Sequence, residues 1–164
     1  MKYLALILLL SVTNIALSQN YFYLENIQLK EKSDYTANEE NAIKAIDYMM
    51  NSPINEQDMD RKACTRFIIR YAEGSPFVTV SIESYVIKIY KKNLDLLSMY
   101  MGLWVKSSIQ NKEGKPEDHE KFTVTEIYKY VEAGNGIKIT ETLNSLINAG
   151  NDKKIDDWIK KMKK

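Results

Sequence analysis

Apolar residues in this 164-residue chain recur at helical spacing, and residues that start and stop helices fall between the runs. Thr36 and Glu39 in "TANE" have the spacing of a capping box, and behind them Ala42, Ala45, Ile46, Met49 and Met50 form one stripe. "NSPINEQ" closes that helix and opens the next, where Cys64, Phe67, Ile68 and Tyr71 repeat at i, i+3, i+4 and i+7 with Met59 and Ala63 beside them. Glycine followed by proline in "EGSP" ends it.

The next stretch, "FVTVSIESYVIKIYKKN", changes period. Val78, Val80 and Ile82 alternate with polar residues as in a strand, whereas Tyr85, Val86, Ile89 and Tyr90 follow a helix. The expectation is a short extended lead-in to a helix. "GIKIT" at 136–140 repeats the alternation, so residues 78–82 and 137–140 are candidates for a minor two-stranded pairing. Such a ribbon would depend on packing against helices.

"LLSMYMGLWV", residues 96–105, is apolar nearly all round. Ten helical residues measure about 15 Å, half of a hydrocarbon core about 30 Å thick, so the segment is too short to span a bilayer. It reads as an interior helix contacted by several neighbours. Gly102 in its middle costs roughly 1 kcal/mol in helix propensity, which close approach of a neighbouring backbone would offset. Beyond the polar linker "QNKEGKPEDHE", Pro116 suits a first helical turn, and Phe122, Val124, Ile127, Tyr128 and Val131 carry that helix to "EAGNG". Leu143, Leu146 and Ile147 mark a short helix closed by Gly150, and Ile155, Trp158, Ile159 and Met162 mark the last. The fold class expected is all-α: a compact bundle or short array of six to seven antiparallel helices.

The first residues change the picture of where the chain goes. Lys2 precedes an apolar run and "ALS", the pattern of a signal peptide over residues 1–18 with cleavage after Ser18, which implies export to the periplasm or the extracellular space. Residues 19–35 then read as a flexible polar arm and 36–164 as a single helical domain. Cys64 is the only cysteine and lies far from the cut, so it offers neither a lipid anchor nor an internal disulfide. Without Lys2 the chain has 22 basic and 22 acidic residues, a balance that argues against nucleic acid as partner.

The run "YMMNSPINEQDMDRKACTRFIIRYAEGSP", with "DLLSMYM" after it, resembles small exported all-helical proteins of unknown function from Bacteroidetes-type bacteria. The similarity covers roughly residues 42–112 and rests on the helix, "SP", helix, "GSP" punctuation. It implies an exported helical domain and supplies no catalytic residue, cofactor or metal ligand.

Candidate chemistry is sparse. His119 sits in "EDHE", whose acids do not recur at the i+3 or i+4 spacing that would face one ion, so a solvated first turn is expected. Cys64 lies on an apolar stripe and reads as a buried, inert thiol. Tyr85, Tyr90, Tyr128 and Tyr130, with Trp104 and Trp158, read as core and core edge, the alternative being a groove for sugar or peptide. The tail "KKIDDWIKKMKK" reads as a helix docked on the core, with peripheral membrane contact as the lesser alternative. These readings assign no catalytic, cofactor-binding or metal residue. They lead to a non-catalytic binding or protein-interaction module of the cell envelope, with an unknown envelope protein or small ligand as partner. The runner-up is a small-ligand carrier or small hydrolase whose site is scattered over several helices.

Overall fold

The computed structural model describes residues 20–164; the expected signal peptide and its cut after Ser18 lie outside the described residues. A 3-10 turn, Tyr21–Asn26, is followed by α1 (Lys32–Ala37), α2 (Glu39–Asn51), α3 (Met59–Gly74), α4 (Ser84–Tyr90), α5 (Asp95–Gln110), α6 (Pro116–Glu132), α7 (Glu141–Asn151) and α8 (Ile155–Met162). The fold is all-α, with no strand among the described residues.

α5 is the hub. It packs against α2, α3, α4 and α6, and Leu96, Met99, Tyr100, Leu103, Trp104 and Val105 are buried around its circumference. The close approach at Gly102 comes from side chains, not backbone: a Cβ there would lie 2.8 Å from Ile46 Cδ1 and 3.1 Å from Ile68 Cγ2. Glycine therefore lets α2 and α3 seat on α5 together. The expected stripes of both helices are buried, except that Met50 is half-buried and Met59 stands exposed at the start of α3.

The capping box forms one helix earlier than "TANE" suggested. The Asp34 carboxylate accepts from the backbone N–H groups of Lys30 (2.8 Å) and Glu31 (3.0 Å), while Thr36 lies in the last turn of α1. The preceding chain also differs from the polar arm expected there. Tyr21 and Leu24, three residues apart, are buried against α3. Tyr21 N donates to Asp60 Oδ1 (2.8 Å), and Arg70 donates to the carbonyls of Leu24 (2.7 Å) and Ile27 (3.1 Å). An aromatic-rich stretch is thus held both by burial of Tyr21 and Leu24 and, through its backbone, by polar groups of α3.

Residues 78–83 carry no regular secondary structure and lead into α4 through Glu83, whose backbone is extended; the ribbon with 137–140 does not form. Asn93 occupies that role instead: its side-chain amide donates to Lys138 O (2.9 Å) and accepts from Lys138 N (2.9 Å). α7 and α8 pack on α6, and α8 is docked with Trp158 and Ile159 buried. Trp158 Nε1 donates to Ser145 Oγ (2.9 Å), and the Trp158 and Tyr85 rings meet edge to face, with centroids 5.5 Å apart. Among the described residues no helix is long and apolar enough to cross a membrane.

Candidate functional site

A cleft of about 450 Å³ opens where the start of α6 meets the last turns of α5. Trp104, Tyr71 and His119 line it; Phe77, Thr36, Thr79 and Ser108 lie on its walls, with Glu39 and Lys112 also on its lining. Helix phase explains the arrangement. Trp104 and Ser107 are three residues apart on α5, and His119 falls one turn before Thr123 on the buried face of α6. The solvated position expected for His119 is therefore corrected: it is 8% exposed.

Its imidazole is held on several sides. Nδ1 shares a hydrogen bond with Ser107 Oγ (2.9 Å), and the ring lies tilted against Trp104 at 6.1 Å between centroids. Gly114 presses on the ring, since a Cβ there would lie 2.7 Å from His119 Cε1. Nε2 makes no hydrogen bond among the described residues. Tyr71, by contrast, is spent: its hydroxyl donates to Tyr35 O (2.9 Å), and burial pushes its pKa up to about 12. Lys112 and Glu39 form an ion pair (2.8 Å) that ties the α5–α6 linker to the start of α2. Phe77 is 57% exposed and offers an aromatic side on the cleft wall.

Ser107 is buried and does not line the cleft, so its hydroxyl orients the imidazole and is not presented to a substrate. Among the described residues Glu39 is the one carboxylate on the lining, and no group of three or more His, Cys, Asp or Glu side chains is placed to hold a metal ion.

The other residues singled out in the sequence lie elsewhere. Cys64 is fully buried, and desolvation, reinforced by Asp60 and Asp58, pushes its thiol up to about 12. Tyr85 and Tyr130 are buried, with hydroxyls donating to Glu120 Oε1 (2.7 Å) and Ser52 O (2.8 Å). Tyr90 and Tyr128 are half-buried. None of the four tyrosines lines the cleft, whereas Trp104 does.

Of two buried charged residues, Arg61 went unread in the sequence and Glu120, expected in the solvated turn of "EDHE", is corrected. Arg61 is 2% exposed and Glu120 4% exposed. Each stands in the apolar phase of its helix: Arg61 precedes Cys64 and Ile68 by three and seven residues, and Glu120 precedes Val124 and Ile127 by four and seven. That register was the signal that could have found them. Comparison with known proteins finds no matching family model, no matching curated protein and no matching solved structure.

Proposed function

We propose that the chain is a non-catalytic binding domain of the exported class and that its ligand enters the Trp104–His119 cleft. The observation that carries this reading is an immobilised imidazole with one nitrogen unused by the fold, tilted against an indole in a half-open cleft of mixed polar and apolar lining. The ligand that fits is small and planar, with an apolar body and one group that hydrogen-bonds to His119 Nε2. A partner protein offering a single aromatic side chain would use the same groups, and a small ligand would compete with it.

Trp104 reports on the site directly. The chain has two tryptophans, so Trp158→Phe leaves Trp104 as the sole indole. Titration of that variant with benzoate, indole and naphthalene sulfonate should give a saturable change in fluorescence for at least one probe. His119→Phe should weaken binding by about tenfold, the worth of one hydrogen bond. No saturable change with any of the three, in protein whose circular dichroism is native, removes the reading.

A further inference from the structure

One corner of the molecule combines exposed apolar side chains with lysines that have no acidic partner. Tyr85, Val86 and Ile89 face inward from α4, which leaves Ile87, Lys88 and Lys91 on its outer face. Leu94, at the turn into α5, is 74% exposed, the most open large apolar side chain among the described residues. The paired hydrogen bonds between Asn93 and the Lys138 backbone bring a second exposed segment alongside, in which the exposed Ile139 follows Lys138.

The charge here has one sign. Lys88, Lys91, Lys92 and Lys138 are all exposed, and none forms an ion pair among the described residues, although nine other basic side chains do. Residues 84–94 and 133–140 contain no acid. Of the four carboxylates that flank them, Asp95 is turned toward Arg61 Nε (3.8 Å), Glu83 accepts from Ser81 Oγ (3.4 Å), Glu132 lies beside Tyr128 at the end of α6, and Glu141 is exposed in the first turn of α7, leaving four lysines against two exposed acids.

We infer that this corner, formed by Ile87, Leu94 and Ile139 among Lys88, Lys91, Lys92 and Lys138, docks on an anionic lipid surface. Apolar tips enter the headgroup and acyl boundary while flexible lysines around them reach back to lipid phosphates. The positive cluster favours an anionic leaflet over a neutral one. An acidic protein would also attract the lysines, but it would not need protruding Leu and Ile side chains between them. The apolar face of α8 does not compete for this role, because Trp158 and Ile159 are buried in the domain. The inference is independent of what fills the Trp104–His119 cleft.

Vesicle flotation tests it, using the chain from residue 19 on, since the apolar leader would bind lipid by itself and the packed fold is described within residues 20–164. The protein should float with mixed phosphatidylcholine–phosphatidylglycerol vesicles and bind phosphatidylcholine alone about tenfold more weakly. Leu94→Asp and the double variant K91E/K92E should each lower binding to the mixed vesicles by about tenfold, with thermal unfolding unchanged because all three side chains are exposed. Absence of binding to the mixed vesicles overturns the inference. So does binding that Leu94→Asp leaves intact. Binding to polyglutamate as tight as to vesicles, equally indifferent to Leu94→Asp, would assign the corner to an acidic protein instead.

Discussion

Arg61 and Glu120 are both charged, both sealed from water and both placed where their helices turn inward, yet the fold meets their charges in different ways. Arg61 Nη1 donates to Met49 O (2.7 Å), Ser52 O (3.1 Å) and Ser52 Oγ (3.1 Å), the carbonyls at the end of α2, and Nη2 donates to Met99 Sδ (3.2 Å). The Tyr130 ring covers it at 5.9 Å, and Tyr130 Oη donates to the same Ser52 carbonyl. The guanidinium thus caps the negative end of a helix from inside the protein. Glu120 instead receives a hydroxyl from Tyr85 (2.7 Å) and an ammonium from Lys163 (2.6 Å), the second-last residue. The first charge is answered by backbone in the middle of the fold. The second is answered by a terminal side chain that arrives only when α8 docks.

The largest test of that contrast is Arg61→Ala, which removes the guanidinium from the Met49 carbonyl, leaves the Ser52 carbonyl to Tyr130 alone and leaves Asp95 without its cation. Loss of about 3–5 kcal/mol is expected, read from urea unfolding. A loss below about 1 kcal/mol would mean that water replaces the guanidinium and that the two sites do not differ in kind. Lys163→Met should cost less, about 1.5–3 kcal/mol, and locally. Amide exchange should speed up in α8 while α3 keeps its protection; a uniform loss would show that both ends unfold as one unit. Glu120→Gln should cost less again, because the Gln carbonyl still accepts from Tyr85.

Smaller still is Gly102→Ala. Gain of up to about 1 kcal/mol in helix propensity opposes crowding of about 1–3 kcal/mol against Ile68 Cγ2 and against Ile46, whose terminal Cδ1 methyl can move. A net loss within about 1–2 kcal/mol is expected from thermal unfolding. Gly102→Val, with more volume to place, should lose more. A stabilised alanine variant would show that the hub around Arg61 is less tightly packed than its burial implies.

The response to alkali comes last because it vanishes at neutral pH. Burial raises the pKa of Cys64, Tyr48 and Tyr71 to about 12 from ordinary values of 9.0 and 10.0, and raises Tyr85 and Tyr100 further. Below about pH 9 both folded and unfolded chains hold these protons, and stability is flat in this respect. Above it the unfolded chain releases them first, so stability falls as pH rises toward 12. Thermal unfolding measured across that range checks the sign. At pH 8 a thiol reagent should modify Cys64 only as fast as the protein opens.

Much of this fold was legible because apolar residues announced it. Residues 96–105 could be read as an interior helix from their chemistry alone, and the stripes of α2 and α3 followed from spacing. Failures came where residue type outweighed position. His119, Glu120 and Arg61 occupy inward-facing registers but were read, or passed over, as polar. Residues 20–26 were passed over as a polar arm although Tyr21 and Leu24 stand three apart and pack on α3; the further hold of Asp60 and Arg70 on their backbone has no sequence signature. Pairing of 78–82 with 137–140 was a reasonable expectation from alternation, but a side chain far from both in pattern, Asn93, satisfied the second segment. The cleft was not legible at all: Trp104 and His119 meet only through the crossing of α5 and α6.

The thioether of Met99, locked beneath the guanidinium, has a consequence for how this protein ages. Oxidants convert methionine sulfur to sulfoxide at a rate set by access. Met59 lies open to them at the start of α3, whereas Met49 and Met99 are wholly enclosed. Damage should therefore fall first where it costs little. It should reach Met99 only in molecules that have already opened, so the sulfoxide there becomes a record of past unfolding.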